Sequence, residues 1–288
     1  MARPGPGGGA PRLPRPRKRF GQHFLADRGA IAGIVDLVQP GPGDLVVEVG
    51  PGRGALTHPL AARLDRLVAV EIDRDLAAHL RGEIPGPGFR LVEGDILTVD
   101  LGALLSEEGR QRLIVVGNLP YNITAPVLFH MLDHAAIVDR AIFTLQREVA
   151  RRLVAAPGSR EYGLVTVMLR QRARARICLD IHRSAFRPVP KVDSAVVEIR
   201  FGTDDGAVRD QATFEQVARA AFQQRRKMLR NALKTLPAAQ QAGIQALEER
   251  AGVDLSRRAE TLSLAEFVRL ADAAAELTAT VDPAADRG

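Results

Sequence analysis

Apolar residues along this 288-residue chain keep switching period, and that alternation limits the fold more than any other feature of the sequence. Short β-branched runs occur at 45-LVVEV-49, 67-LVAVE-71, 89-FRLVE-93, 113-LIVVG-117 and 141-AIFTL-145. Between them lie stretches with helical spacing, such as 30-AIAGIVDLV-38, 55-ALTHPLAARL-64 and 75-DLAAHL-80. Strands alternating with helices in this way predict an α/β fold, a parallel sheet covered on both faces, with ligands bound beyond the carboxyl ends of the strands. The run 192-VDSAVVEIRF-201 predicts a further strand. After the turn chemistry of 202-GTDDG-206 the strand pattern stops, and 211 to 276 reads as helices only, which puts a domain boundary near residue 205.

No apolar run approaches the roughly 18 residues needed to cross a bilayer, and no signal-peptide core follows the first charges. A cytoplasmic protein with no membrane partner is expected. The single cysteine, Cys178, has no partner for a disulfide and no CxxC or histidine-rich neighbour for zinc. It reads as an ordinary buried strand residue, and no metal is expected.

The net charge of +6 belongs to the tail: Arg3, Arg12, Arg15, Arg17, Lys18 and Arg19 are the whole excess, leaving 34 basic residues against 34 acidic ones. Residues 1–19 are too rich in proline and glycine to build a core, so this basic tail is expected to be disordered, either as a solubilising segment or in contact with phosphates. Its prolines and its lack of serine set it apart from an organelle transit peptide.

Charge is uneven in the remainder as well. Residues 170–191 hold seven Arg or Lys against one acid, Asp180, and residues 216–234 hold six against none. In 170-RQRARARI-177 the arginines recur at every second position, which on a strand lines them along one face. That face is either a cationic stripe for nucleic acid or a sheet edge kept from aggregating by its charge. A second basic segment, 225-RRKMLRNALK-234, is a further phosphate-binding candidate or a solvated helix face.

The strand tips carry the chemistry. In 48-EVGPGRGALT-57 the glycines let the backbone turn tightly and approach a ligand, while the following helix offers its N-terminus. Gly50-x-Gly52-x-x-Ala55 also fits a dinucleotide fingerprint and by itself selects no cofactor. Glu71 closes the second strand, where a carboxylate accepts ribose hydroxyls. In 94-GDIL-97, Asp95 is placed either to accept from an adenine amino group, with Ile72 and Ile96 as apolar faces, or to cap a helix. An adenosine-containing ligand is indicated.

The fourth tip, 117-GNLPYNIT-124, resembles the [DN]-P-P-Y turn of amino-methyltransferases that use S-adenosylmethionine. An exocyclic adenine amine is a poor nucleophile because its lone pair is delocalised into the ring. Acceptance of its two N–H bonds by Asn118 Oδ1 and the Leu119 carbonyl lets the nitrogen pyramidalise. Pro120 fixes the turn, and Tyr121 stacks on the base. A base inside a duplex cannot reach such a pocket, so the target is flipped or unpaired. In 186-FRPVPKVDSAVV-197, Phe186 is either a second stacking wall, worth about 1–3 kcal/mol, or a core residue, and Arg187 and Lys191 flank it for phosphate.

Taken together, 20-FGQHFL-25, 48-EVGPGRGALT-57, 71-EIDRDL-76, 94-GDIL-97, 117-GNLPYNIT-124, 146-QREVARRLVAAPGSREYG-163, 186-FRPVPKVDSAVV-197, 222-FQQRRKMLRNAL-233 and 257-RRAETLS-263 resemble the bacterial small-subunit ribosomal RNA adenine dimethyltransferase family over roughly residues 17 to 272. The resemblance implies a Rossmann-like, S-adenosylmethionine-dependent methyltransferase domain at 20–205 and a small all-α, rRNA-contacting domain at 206–288. It implies transfer of four methyl groups to two adjacent adenosines near the 3′ end of small-subunit rRNA, within an assembling small ribosomal subunit, by a monomer. His23, Leu25, Gly50, Gly52, Glu71, Asp95 and Asn118 are then the cofactor contacts, although the family pattern has Asn where this chain has His23. Asn118, Tyr121 and Phe186 are the catalytic group, and Arg187, Lys191, Arg225, Arg226 and Lys227 contact rRNA.

Other functions remain open at this point. Macrolide-resistance methyltransferases of the large subunit share the cofactor site, but they read Asn-Ile-Pro-Tyr or Asn-Ile-Pro-Phe and lack a block like 157-PGSREYG-163; this chain has Leu119. An assembly checkpoint with methylation secondary is a second alternative. A DNA amino-methyltransferase is a third, without a separate target-recognition domain of useful size.

Overall fold

The computed structural model describes residues 22–202 and 206–279. The basic tail 1–19, residues 203–205 of the expected turn, and 280–288 lie outside the described residues. In chain order the first elements are β1 (Phe24–Leu25), α1 (Arg28–Val38), β2 (Asp44–Val49), α2 (Thr57–Ala61), β3 (Leu67–Glu71), α3 (Arg74–Glu83), β4 (Phe89–Glu93), α4 (Leu101–Glu107) and β5 (Arg112–Asn118). They are followed by α5 (Thr124–Asp133), β6 (Val138–Gln146), α6 (Arg147–Val154), α7 (Leu164–Arg172), β7 (Ala173–Ile181), β8 (Phe186–Arg187) and β9 (Ser194–Phe201). Helices α8 (Gln211–Gln223), α9 (Leu229–Ala232), α10 (Pro237–Ala242), α11 (Ile244–Ala251) and α12 (Leu264–Ala279) complete the chain, with no strand among the described residues after Phe201.

Seven strands form one sheet in the order β4-β3-β2-β5-β6-β9-β7. Strand β2 runs parallel to β3 and β5, and β3 runs parallel to β4, with Val46 opposite Leu67 and Ile114, and Glu71 opposite Glu93. The β-branched runs of β2, β3 and β5 are buried almost throughout, as parallel strands covered on both faces require. Strand β4 closes the sheet at one end and is only half-buried. Helices α1, α3, α4 and α8 start where a short acid, Asp27, Asp73, Asp100 or Asp210, satisfies an otherwise unpaired N–H group. Asp27 accepts from Ala30 N at 2.8 Å at the start of α1, and Asp100 from Ala103 N at 2.9 Å at the start of α4.

By contact the chain divides into two compact units. The first holds the chain up to Val127 with Ile142–Leu145 and Ile181–Val196; the second holds Leu128–Ala141, Gln146–Asp180 and the chain from Val197. The second unit has its own core, in which Tyr162, Phe214, Leu229, Leu247, Phe267 and Leu270 are fully buried. The block 157-PGSREYG-163 belongs to it: Gly158 N donates to Glu260 O at 2.7 Å, and burial pushes the Tyr162 hydroxyl up to about 12.

Three local expectations are corrected. The helical spacing of 55–64 yields only the five residues of α2, which starts without a side-chain cap after the tight Gly50–Gly54 turn, so this loop has no long helix N-terminus behind it. The arginine alternation of 170–177 is not one strand, because the apolar stretch Val167–Leu169 packs as helix and carries α7 through Arg172. Arg170 and Arg172 donate to the carbonyls of Val154 and Leu132, while Arg174 and Arg176 stand on β7, the last strand of the sheet, with Arg176 paired to Glu198. Cys178 is a strand residue but only half-buried, because that strand is an edge.

Candidate active site

Within the first unit, the residues that follow β2, β3, β4 and β5 line one cavity of about 1170 Å³, open mouth included, together with Gln22–Leu25 and Phe186. The order β4-β3-β2-β5 sets out Asp95, Glu71, the Gly50–Arg53 turn and Asn118 in sequence along the sheet.

The turn after β2 keeps its backbone close to the cavity. Gly50 has a φ of +64° and nothing within 4 Å of where a Cβ would stand, so at this position the left-handed conformation is what excludes a side chain. At Gly52, also left-handed at +60°, a Cβ would lie 3.0 Å from the Phe24 ring, so conformation and space both demand glycine.

Glu71 is 4% exposed, yet both its oxygens are engaged: Oε2 accepts from Gly52 N at 3.0 Å and Oε1 from Asp73 N at 2.9 Å. Burial raises its pKa, and these backbone donors oppose the rise. Each carboxylate oxygen still has a lone pair for a ligand hydroxyl. Asp95 accepts from Leu97 N at 3.0 Å and tightens the turn 95–98; no α-helix begins there, so it caps a turn and retains a second carboxylate oxygen. Ile72 is half-exposed and Ile96 buried, and both line the cavity.

Glu48 also lines the cavity and was not picked out from the sequence. It is 2% exposed, Oε2 has no hydrogen-bond partner, and burial pushes its pKa up to about 8 against the pull of Thr57. Its signal in the sequence is an acid inside the otherwise apolar run 45-LVVEV-49.

At the tip of β5, Asn118 Nδ2 donates to the His23 carbonyl at 2.8 Å. The amide's donor is thereby committed, and its Oδ1 remains an acceptor. Leu119 is buried, its N–H bonded to Thr144 O at 3.3 Å, and the Pro120 carbonyl accepts from Ile123 N and Thr124 Oγ1, so the Asn-Leu-Pro-Tyr turn is held on both sides. His23 Nδ1 lies 2.8 Å from Pro188 O, and its ring stacks on Tyr121 at 5.8 Å and 26°. Strand β1 pairs antiparallel with β8, setting Leu25 against Phe186 and Phe24 against Arg187. Phe186 is 1% exposed and lines the cavity, so it is both a packed core side chain and a wall.

The basic residues differ in how they are engaged. Lys191 is exposed beside exposed Val189 and Val192, and Arg187 donates to the Ser184 and Phe186 carbonyls. In the second unit Arg226 and Lys227 are exposed, whereas Arg225 donates through Nη2 to the carbonyls of Arg160 and Tyr162 at 2.6 and 2.7 Å.

Residues 14–276 match the family model described as "Ribosomal RNA adenine dimethylase". The chain belongs to this family. Two relatives named ribosomal RNA small subunit methyltransferase A illustrate the closeness of sequence within the dimethylases. The protein of Leptothrix cholodnii is 46% identical over 255 residues, covering 88% of this chain and 90% of the relative. That of Cupriavidus metallidurans is 48% identical over 265 residues, covering 88% and 91%. Among solved structures, a dimethyladenosine transferase from Plasmodium falciparum superposes with a TM-score of 0.70 at 21% identity, over 86% of this chain and 96% of that one, which supports the fold. The 23S rRNA methyltransferase ErmE gives 0.66 at 28% identity, over 88% and 99%.

Proposed function

We propose that this chain transfers methyl groups from S-adenosylmethionine to N6 of two adjacent adenosines near the 3′ end of small-subunit rRNA, as a cytoplasmic monomer acting on an assembling small subunit. Family membership and the small-subunit names of relatives at 46% and 48% identity support this reaction over large-subunit methylation, for which the comparable likeness is ErmE at 28%.

The cavity fits the donor on its own chemistry. A buried carboxyl oxygen of Glu48 without a partner, open space at Gly50, and lone pairs remaining on Glu71 and Asp95 suit a ligand bearing an ammonium, a ribose and an adenine. When bound, the donor supplies an electrophilic methyl carbon. Glu71 holds the ribose hydroxyls, Asp95 accepts from the adenine amine, and Ile72 and Ile96 flank the ring. Gly50 and Gly52 let the backbone approach, and His23 and Leu25 close the site from the N-terminal segment.

The observation that carries the transfer chemistry is the bond from Asn118 Nδ2 to the His23 carbonyl, 2.8 Å long. It fixes the amide so that Oδ1 and the Leu119 carbonyl accept the two N6–H bonds, leaving the nitrogen lone pair localised for attack. Tyr121 and Phe186 sandwich the flipped base. Arg187, Lys191, Arg226 and Lys227 meet phosphates by point charge, and Arg225 reaches the RNA while also tying down the 160–162 backbone.

Labelled donor incubated with under-methylated small subunits or with large subunits tests the reading. Wild type is expected to label only the small subunit, and Asn118→Ala to lose about 10²–10³ in rate, the scale of one lost preorganised contact, with rRNA binding intact. Labelling of large subunits, or an Asn118→Ala variant at wild-type rate, would contradict it. Full support of subunit assembly by that inactive variant would instead mark a checkpoint role.

A further inference from the structure

We infer that Arg176 and Arg200 are a phosphate-gripping pair at the β7 edge of the sheet, a contact for rRNA in addition to the basic residues named above. This rests on the reading that the chain acts on small-subunit rRNA.

The pair is built around one carboxylate. Glu198 on β9 is 2% exposed, and each of its oxygens takes an arginine: Oε2 accepts from Arg176 Nε on β7, and Oε1 from Arg200 Nη2 at 2.8 Å. Burial works against the charged carboxylate, but the two arginines outweigh it and hold the Glu198 pKa below the ordinary glutamate value. The arginine side chains themselves stay 63% and 56% exposed. Among the described residues Glu198 is the one side-chain partner of either guanidinium, so most of their N–H donors face solvent.

Edge protection alone does not call for this arrangement. Charges that keep an edge strand from pairing with another chain need no fixed direction and no buried acid, and burying a carboxylate is costly. What the buried acid does here is hold two mutually repelling cations side by side on strand backbone. Two guanidinia against one carboxylate leave one positive charge uncompensated. Asp180, further along β7 at the same alternation as Arg176, is about 13 Å away along the strand, beyond a Debye length of about 8 Å at physiological salt.

The opposite solution occurs beside β4. There Arg66 and Arg90 likewise share one carboxylate, that of Glu108, but Arg90 also pairs with Glu107 and Arg66 also donates to the Pro87 carbonyl. Two arginines and two glutamates make that cluster neutral, and its spare donors are used within the protein. The Arg176–Glu198–Arg200 cluster lacks both the second acid and the carbonyl. Planar guanidinia with N–H edges turned outward match the oxygens of a phosphodiester, the repeating anion of an RNA target.

Binding isotherms of the full chain for under-methylated small subunits and for protein-free small-subunit rRNA, taken across a salt series, test the pair. The variants are Arg200→Gln, which leaves Glu198 with Arg176, and Arg176→Gln combined with Glu198→Gln, which keeps the net charge and leaves no buried carboxylate without a partner. Each is expected to bind both targets about 10-fold more weakly, the scale of one charge-assisted hydrogen-bonded contact, and to lower the salt slope by about 1. Unchanged affinity for both targets would overturn the proposal, and aggregation of the variants at that unchanged affinity would make the arginines edge protection. Weakening confined to intact subunits would make the partner a ribosomal protein, and weakening confined to protein-free rRNA would mean that the contact is absent from the assembled target; either overturns it. Wild type binding neither target would overturn the rRNA reading itself, and this proposal with it.

Discussion

Asn118 and His23 are joined by a 2.8 Å hydrogen bond from a side-chain amide to a backbone carbonyl, across 95 residues of sequence. That bond turns an ambiguous amide into a committed acceptor facing the cavity, and it ties the N-terminal segment to the tip of β5. The donor half of Asn118 therefore matters to the reaction as much as the acceptor half.

Asn118→Asp keeps an acceptor oxygen and removes the N–H that meets the His23 carbonyl. A carboxylate facing that carbonyl cannot hold the same position, so single-turnover methyl transfer is expected to fall by about 10²–10³, as for the loss of one preorganised contact. Near-wild-type transfer by the aspartate variant would mean the His23 bond is dispensable.

The Glu48 carboxyl, pushed up to about 8 by burial, makes stability depend on pH. Between the ordinary glutamate value of 4.5 and about 8 the folded protein retains a proton that the unfolded chain has released. Stability from this group is thus fully present below 4.5 and is lost as pH rises to about 8, by at most about 1.4 kcal/mol per pH unit. Glu48→Gln is expected to lack that decline and to exceed wild type most at pH 8 and above. Urea midpoints of both proteins from pH 5 to 9 give the comparison.

Arg225 and its neighbours separate structure from RNA contact. Arg225→Ala leaves the Arg160 and Tyr162 carbonyls without their donor and is expected to cost roughly 1–3 kcal/mol of stability. Arg226→Ala and Lys227→Ala are expected to leave the melting temperature unchanged and each to lower the salt slope of rRNA binding by about 1. Binding isotherms across a salt series, with melts of the same variants, distinguish the two effects.

Phe186 and Tyr121 are expected to fail differently. Phe186 is fully buried, so Phe186→Ala costs about 3–5 kcal/mol of stability as well as rate. Tyr121 is half-buried, and Tyr121→Ala is expected to weaken use of the target by about 1–3 kcal/mol, one stacked base, while the fold holds. Equal destabilisation by both would remove Tyr121 as a dedicated stacking surface.

The parallel part of the sheet is legible in the sequence because β2, β3 and β5 are contiguous β-branched runs whose burial on both faces leaves an unbroken signal. The polar residues at their tips are equally legible, since acids and glycines at strand ends follow ligand chemistry. Strands β1 and β8 are not: two residues each carry no period, and what joins them is contact between distant segments, as in the His23 and Pro188 bond over 165 residues. The 170–177 arginines mislead because every second position is basic whether the backbone is helix or strand, and the neighbouring apolar Val167–Leu169 decides the matter by packing. Glu48 is hidden for the opposite reason, since a lone acid in a buried strand looks like an interruption until its unpaired oxygen is seen beside a cavity.

Mass spectrometry of nucleosides from small- and large-subunit rRNA, after incubation of under-methylated subunits with the protein and S-adenosylmethionine, tests the central claim most directly. N6,N6-dimethyladenosine at two adjacent positions near the 3′ end of small-subunit rRNA, and none in large-subunit rRNA, is the predicted result. Methylated adenosine in the large subunit alone, or methyl groups on atoms other than N6, would contradict it.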